Sequence, residues 1–392
     1  MLFQSVGSRY SLGDALYHLV AIGSKKDTAR LKNELAKHYK GEVALYRKGR
    51  AALAEAIRIA TGGSGKVAIN AFTCYSVVQA VEAAGCTPVY VEIERDSLHF
   101  SAGTLKNAFK THPDIRAVVI QNSLGIPADS VAIEQVASAH RALLIEDLAH
   151  SAGARYDNGE EVGMVGDITM LSLGRDKALD TVNGGVLIVR RPELIVQMRE
   201  PHAKPSIINQ LRDRIYPLLA WKTRALFPFK IGKYILAVAY KTNLAVRSAD
   251  GEVDTNEAMT AATAKHALLE FAALSEMNQQ RQALRNIYKT ELAEYIVPGA
   301  LGNGTAAVRI PLYVTRREQV LARLKAAGYF VEDVWYDRPV SPARLYHKVH
   351  FPEAEFPVTM QVTKDIINLP THRNVRPEHI KEMADIIRGA EK

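Results

Sequence analysis

At 392 residues the chain exceeds one ordinary domain, and 47% hydrophobic residues suffice for a sizeable core. Its 50 Lys and Arg against 42 Asp and Glu give a net charge of +8, and its two cysteines, Cys74 and Cys86, exclude a disulfide framework and point to a reducing cytoplasm. No apolar run reaches membrane-spanning length and the opening Met1-Leu2-Phe3-Gln4-Ser5 lacks a basic leader region, so neither a transmembrane helix nor a signal peptide is expected.

In chain order, short apolar β-rich runs lie at 67–70, 87–93, 117–121, 142–146, 168–173 and 185–189, with helical patterns such as 76–84 and 131–140 between them. Apolar strands alternating with helices predict an α/β fold with a mostly parallel sheet covered on both faces. Gly62-Gly63-Ser64-Gly65-Lys66 reads as a turn and not as a phosphate loop, because Val67 replaces the Ser or Thr and the loop precedes its strand. His347 and His350 have no acidic or Cys partner at ligand spacing, so no metal site is expected. After Met259 one long amphipathic helix is predicted to about residue 295, then a strand over 307–313 and helices over 317–327 and 377–387. The domains expected are a large one over 1–256 and, over 257–392, a connecting helix with a smaller α+β domain.

Ligands of open α/β sheets bind at the carboxyl ends of strands. Asp147 ends the run Leu144-Ile145-Glu146-Asp147, and Ser172 stands five residues before Lys177 in Ser172-Leu173-Gly174-Arg175-Asp176-Lys177. A strand-end carboxylate and a lysine so placed suit pyridoxal phosphate. The Lys177 amine would form the Schiff base and shuttle protons, and Asp147 would keep the pyridine nitrogen protonated. Gly49, Arg50 and Ala51 precede an apolar helix, so their amides can make an anion site for the phosphate, with the Ser172 hydroxyl added.

These segments resemble the DegT/StrS family of sugar aminotransferases. Lys48-Gly49-Arg50-Ala51-Ala52-Leu53 is similar to its Gly-Thr-x-Ala-Leu turn, and Val67-Ala68-Ile69-Asn70-Ala71-Phe72-Thr73-Cys74-Tyr75-Ser76 to its Pro-x-x-Thr-aromatic segment. Asn122-Ser123-Leu124-Gly125-Ile126-Pro127-Ala128-Asp129 stands where the family carries His-x-x-Gly-x-x-x-Asp. Asn256-Glu257-Ala258-Met259 resembles Asn-x-Arg-Met, and Asn368-Leu369-Pro370-Thr371-His372 the closing Leu-Pro-x-His. The resemblance implies a fold type I transferase: a seven-stranded, mostly parallel large domain, a small C-terminal domain and a homodimer. It implies a keto-sugar nucleotide as amino acceptor and glutamate or glutamine as donor. It places His150 near the cofactor ring oxygen, where a purely structural histidine is the other reading, and has Asn256 reach the phosphate of the partner subunit.

Three departures bear on the site. Arg50 stands where the family has Thr or Ser, and can pair with phosphate or face solvent. Cys74 replaces the aromatic that stacks on the cofactor, leaving Tyr75, Phe72 or Cys74 itself to fill that place. Ala258 removes an expected arginine. An enzyme of the same fold acting on a membrane-associated or lipid-linked carbonyl, and a cofactor-binding regulator without turnover, are the alternatives. A dehydratase is disfavoured, since the family's dehydratases replace the lysine with His.

Residues 199–247 match nothing in the family pattern. They contain ten Lys and Arg and two acids, hence +8, which equals the net charge of the whole chain. The charges alternate with Tyr216, Trp221, Phe227, Phe229 and Tyr234 in a strongly apolar context. Subunit packing, peripheral contact with the inner-membrane surface and a lid over an anionic substrate all fit, whereas this density of Leu, Ile and Phe suits nucleic acid poorly.

Overall fold

The computed structural model describes residues 1–331 and 336–392. Seven strands form the central sheet: β1 Glu42–Tyr46, β2 Lys66–Asn70, β3 Thr87–Val91, β4 Ile115–Ile120, β5 Leu143–Asp147, β6 Ile168–Ser172 and β7 Gly185–Val189. Their spatial order is β1-β7-β6-β5-β4-β2-β3. Only β7 runs against its neighbours, so the sheet is mostly parallel, as expected.

The unbroken apolar character of the strands follows from burial on both faces. Val67, Ile69, Val119, Ile145 and Met170 pack with Leu53, Ile57 and Val81 of the helices Gly49–Thr61 and Tyr75–Ala83. The alternate residues Ala68, Val118, Ile120 and Leu144 face Leu105, Phe109 and Ile133 of the helices Ala102–Thr111 and Ser130–Ala139. The cluster Gly62–Gly65 is the turn into β2.

Two expectations need correction. β1 was not foreseen, because four apolar residues after Glu42, two of them the helix-favouring Ala44 and Leu45, carry no period that separates strand from helix. The helix after Met259 is two helices, Ala261–Ala272 and Leu274–Leu292, parted at Ala273 (φ −87°, ψ −4°). In the C-terminal part, strands Arg309–Tyr313 and Ile366–Pro370 pair antiparallel against the helices Arg317–Ala326 and Pro377–Glu391. The N-terminal Leu2–Phe3 pairs with Tyr329–Phe330.

The unmatched segment folds as the helices Ile207–Ala225 and Gly232–Lys241. They cross so closely at Gly232 that a Cβ there would lie 2.1 Å from the Thr223 carbonyl oxygen. Their inner faces pack Tyr216, Ala220 and Ala239, with Ala245 just beyond, against Tyr10 and Val182. No described helix is long and apolar enough to cross a membrane.

Candidate active site

The carboxyl ends of β5 and β6 open into a cavity of about 710 Å³ that is lined by Asp147, His150, Ser172 and Lys177. Parallel pairing sets Asp147 opposite Met170, two residues before Ser172. Beyond β6 the chain turns back on itself. Asp176 takes a left-handed φ of 61°, its N–H donates to Asp180 Oδ2 at 2.9 Å, and Arg281 Nη2 donates to the Ala178 carbonyl at 2.9 Å. This turn brings Lys177 Nζ to 2.8 Å from His150 Nε2.

That contact defines a protonation state. His150 Nδ1 accepts the Leu124 N–H at 3.1 Å, so the neutral ring carries its proton on Nε2 and donates it toward Lys177. The amine form of Lys177 is the one that can accept this proton. Burial acts the same way on both groups. It holds His150 well below the usual imidazole range, with Lys177 and Arg309 adding to the effect. It lowers Lys177 below the usual ammonium range, against the opposing pull of Cys74 and Asp147. An uncharged lysine is the nucleophilic form, the one that attacks a carbonyl.

Asp147 is 4% exposed, and burial raises its carboxyl to about 6, with the Ala149 N–H at 2.9 Å and Lys177 pulling the other way. A cation facing this carboxylate would draw it down and be held in turn. Where the phosphate is expected, the helix Gly49–Thr61 starts at the N-cap Lys48 with no side-chain cap. The Ala51 N–H already bonds to the Lys48 carbonyl at 3.1 Å, so the amides free for an anion are those that precede it. A Cβ on Gly49 would lie 2.6 Å from Ser172 Oγ, so glycine is what lets the helix start approach this hydroxyl. Amides at a helix start, a buried carboxylate and a buried lysine of lowered proton affinity around one cavity fit pyridoxal phosphate. When bound, the cofactor supplies the electron sink that weakens a bond at the carbon bearing the amine.

The structure separates other candidates. Cys74 lines the cavity as the N-cap of Tyr75–Ala83. Tyr75 packs into the core instead, and Phe72 stacks on Tyr336 at 4.3 Å without itself lining the cavity. The Arg50 guanidinium neither faces solvent nor lies in the cradle. It bonds to the Ser248 carbonyl, to the carbonyls of Ala249 (3.3 Å) and Gly251 (3.1 Å), and to Gln79 at 2.7 Å. Asn256 is exposed and outside this chain's own cavity, its Oδ1 accepting the His202 N–H at 3.1 Å.

Lys48, Tyr336 and Arg175 also line the cavity. Lys48 is pushed down to about 8 by burial and by Arg50 and Arg47. Tyr336 comes from the C-terminal part, and Arg175 lies 4.0 Å over the Tyr216 ring. Lys48 was visible in the sequence beside Gly49, but its neighbour's motif drew the reading. Nothing local marked Tyr336.

The opposite wall belongs to the unmatched segment, through Asp213, Tyr216, Leu236, Tyr240 and Val246. Arginines hold it there. Arg47 bridges Asp213 (3.1 Å) and Glu257 (3.0 Å), Arg175 donates to the Val246 carbonyl, and Arg50 ties the segment's end.

The model of the DegT/DnrJ/EryC1/StrS aminotransferase family matches residues 22–388, a range that includes 199–247, which the motifs alone had left unmatched. Among curated proteins, MosB of Rhizobium meliloti is 32% identical over 134 residues, a match spanning 34% of this chain and only 26% of MosB. Among solved structures, Helicobacter pylori PseC, an aminotransferase involved in pseudoaminic acid biosynthesis, superposes with a TM-score of 0.72 at 16% identity, covering 100% of this chain and 99% of PseC. DesI, solved in the presence of its TDP-sugar product, gives 0.72 at 19% identity over 98% and 92% of the two chains. The aminotransferase TlmJ of Streptoalloteichus hindustanus gives 0.72 at 18% identity over 100% and 98%. At these identities the structural likeness shows the fold, and the family match adds the chemistry. The chain thus belongs to the DegT/DnrJ/EryC1/StrS aminotransferase family, whose cofactor is pyridoxal phosphate.

Proposed function

We propose that this chain moves an amino group from glutamate or glutamine to the keto group of a nucleotide-linked sugar. Lys177 would be the attacking amine and proton carrier, and Asp147 the counter-ion of the cofactor ring. His150 would hold Lys177 uncharged, and Gly49, Arg50 and Ser172 would cradle the phosphate through backbone amides and a hydroxyl. The observation that carries the reading is the 2.8 Å contact between Lys177 and His150, which sets a buried lysine of lowered proton affinity beside a buried carboxylate. DesI, a member of the same fold class solved with a TDP-sugar, supports the choice of acceptor.

The enzyme is proposed to work in the cytoplasm as a homodimer. Leu12, Leu16, Val20 and Ile22 form an exposed apolar stripe near Ile207, Ile208 and Leu211, and a second copy seated there would bring its surface close to Asn256. The test is a screen of keto-sugar nucleotides with glutamate, following formation of the aminated product. Turnover of one such sugar is expected. Cofactor binding without turnover of any of them would overturn the acceptor and leave the cofactor site standing.

A further inference from the structure

The helix Gly232–Lys241 has two working sides. Leu236 and Tyr240 line the cavity. Lys233, Tyr234, Ala237, Val238 and Lys241, spaced at helical intervals, are exposed on the other side. Just before it, the corner between the two insertion helices exposes Pro228, Phe229, Lys230 and Ile231, with Lys222 one turn back. Phe229 is 71% exposed, Tyr234 60%, Val238 57% and Ile231 55%, against 5% or less at the packed Tyr216, Ala220, Ala239 and Ala245. No acid occurs between Asp213 and Asp250, and none of Lys222, Lys230, Lys233 and Lys241 has an ion-pair partner among the described residues. Folding has thus used the arginines of the segment, such as Arg224 on the Val6 and Tyr10 carbonyls, while leaving its lysines outside.

We infer that this corner docks the enzyme on an anionic bilayer surface, with Phe229, Ile231 and Tyr234 entering the interface and the four lysines facing the headgroups. A second copy is the poorer occupant, because a twofold contact would set this acid-free basic face against itself. Aromatic and aliphatic side chains interleaved with lysine suit the boundary of acyl chains and headgroups. The same helix that touches the bilayer would wall the cavity, so the acceptor would be drawn from solution or membrane within about one helix diameter, roughly 10 Å, of the lipid surface. The inference goes beyond the proposed reaction and does not depend on which carbonyl is aminated.

The test uses full-length, cofactor-loaded protein sedimented with vesicles of phosphatidylglycerol and phosphatidylcholine or of phosphatidylcholine alone. Wild type should pellet with the anionic vesicles at low salt and partly release as salt rises. Each lysine should contribute about fivefold, so Lys222→Gln/Lys230→Gln/Lys233→Gln/Lys241→Gln should weaken binding on the order of a hundredfold after screening. Phe229→Ser/Ile231→Ser/Tyr234→Ser should remove the salt-resistant part. Both variants should keep the cofactor absorbance of wild type, which shows that they fold, and their wild-type mass by light scattering. Wild type left in the supernatant, equal binding to neutral vesicles, or a dimer turned into monomer by the apolar substitutions would each overturn the inference. The last result would assign the corner to a second copy.

Discussion

The two walls of the cavity are built on different physical terms. One is the end of a buried parallel sheet, where Asp147 and Ser172 are fixed by strand register and Lys177 by a turn bonded through its own backbone. The other is an insertion of two helices held mainly by guanidinium groups reaching 166 to 201 residues along the chain to Asp213 and to the carbonyls of residues 248–251. The sheet side fixes the charges proposed to do the chemistry. The insertion side encloses the cavity and turns a basic apolar face outward. Substitutions on the first wall should therefore strike the reaction, and those on the second should strike access and acceptor binding.

The largest effect is expected at Lys177. Lys177→Ala should lower turnover on the order of 10³- to 10⁴-fold, as removal of a proton carrier and nucleophile does. Steady-state rates with glutamate will check it, and near-wild-type turnover would remove Lys177 from the mechanism.

Asp147→Asn should lower turnover by roughly 10²- to 10³-fold, the scale of a lost electrostatic partner. It should also stabilise the cofactor-free protein. The carboxyl titrates at about 6 in the folded chain against 3.8 as its ordinary value, so the folded state retains a proton that the unfolded chain releases. Stability of the cofactor-free wild type then falls as pH rises through that window, by about 2–3 kcal/mol in all. At pH 7 the variant, lacking this penalty, should melt a few degrees higher without cofactor. Calorimetry at pH 4 and pH 7 would show the difference vanish at the lower pH.

Gly49→Ala should weaken cofactor binding about ten- to hundredfold, since the new methyl must displace Ser172 at a cost of about 1–3 kcal/mol. Cofactor titration measures it. On the insertion wall, Arg50→Met should raise the acceptor KM by about tenfold or less and leave cofactor affinity unchanged, because its donors serve loop carbonyls that water can reach. A fall in cofactor affinity instead would show that the guanidinium serves the phosphate and would blur the distinction between the walls.

The same contrast explains what could be read from the chain alone. Strand ends announce themselves through apolar runs, so the position of Asp147 at the end of β5 and the Ser172-to-Lys177 spacing were legible before any fold was known. β1, as short as strands that were legible, opens with Glu42 and mixes Ala44 and Leu45 into its apolar run, so its composition did not separate strand from helix. The direction of Arg50 was hidden, because its partners lie some 200 residues away and no local pattern encodes them. The insertion's charge was visible, but which residues face the cavity depends on how two helices cross at Gly232.

Two lysines line the cavity, both with lowered proton affinity, Lys177 on the sheet side and Lys48 at the helix start. Borohydride reduction of the cofactor-loaded wild type, followed by peptide mapping, decides between them. The account predicts the pyridoxyl mass on Lys177 alone. Its appearance on Lys48 would contradict the assignment of the catalytic lysine and, with it, the role given to His150.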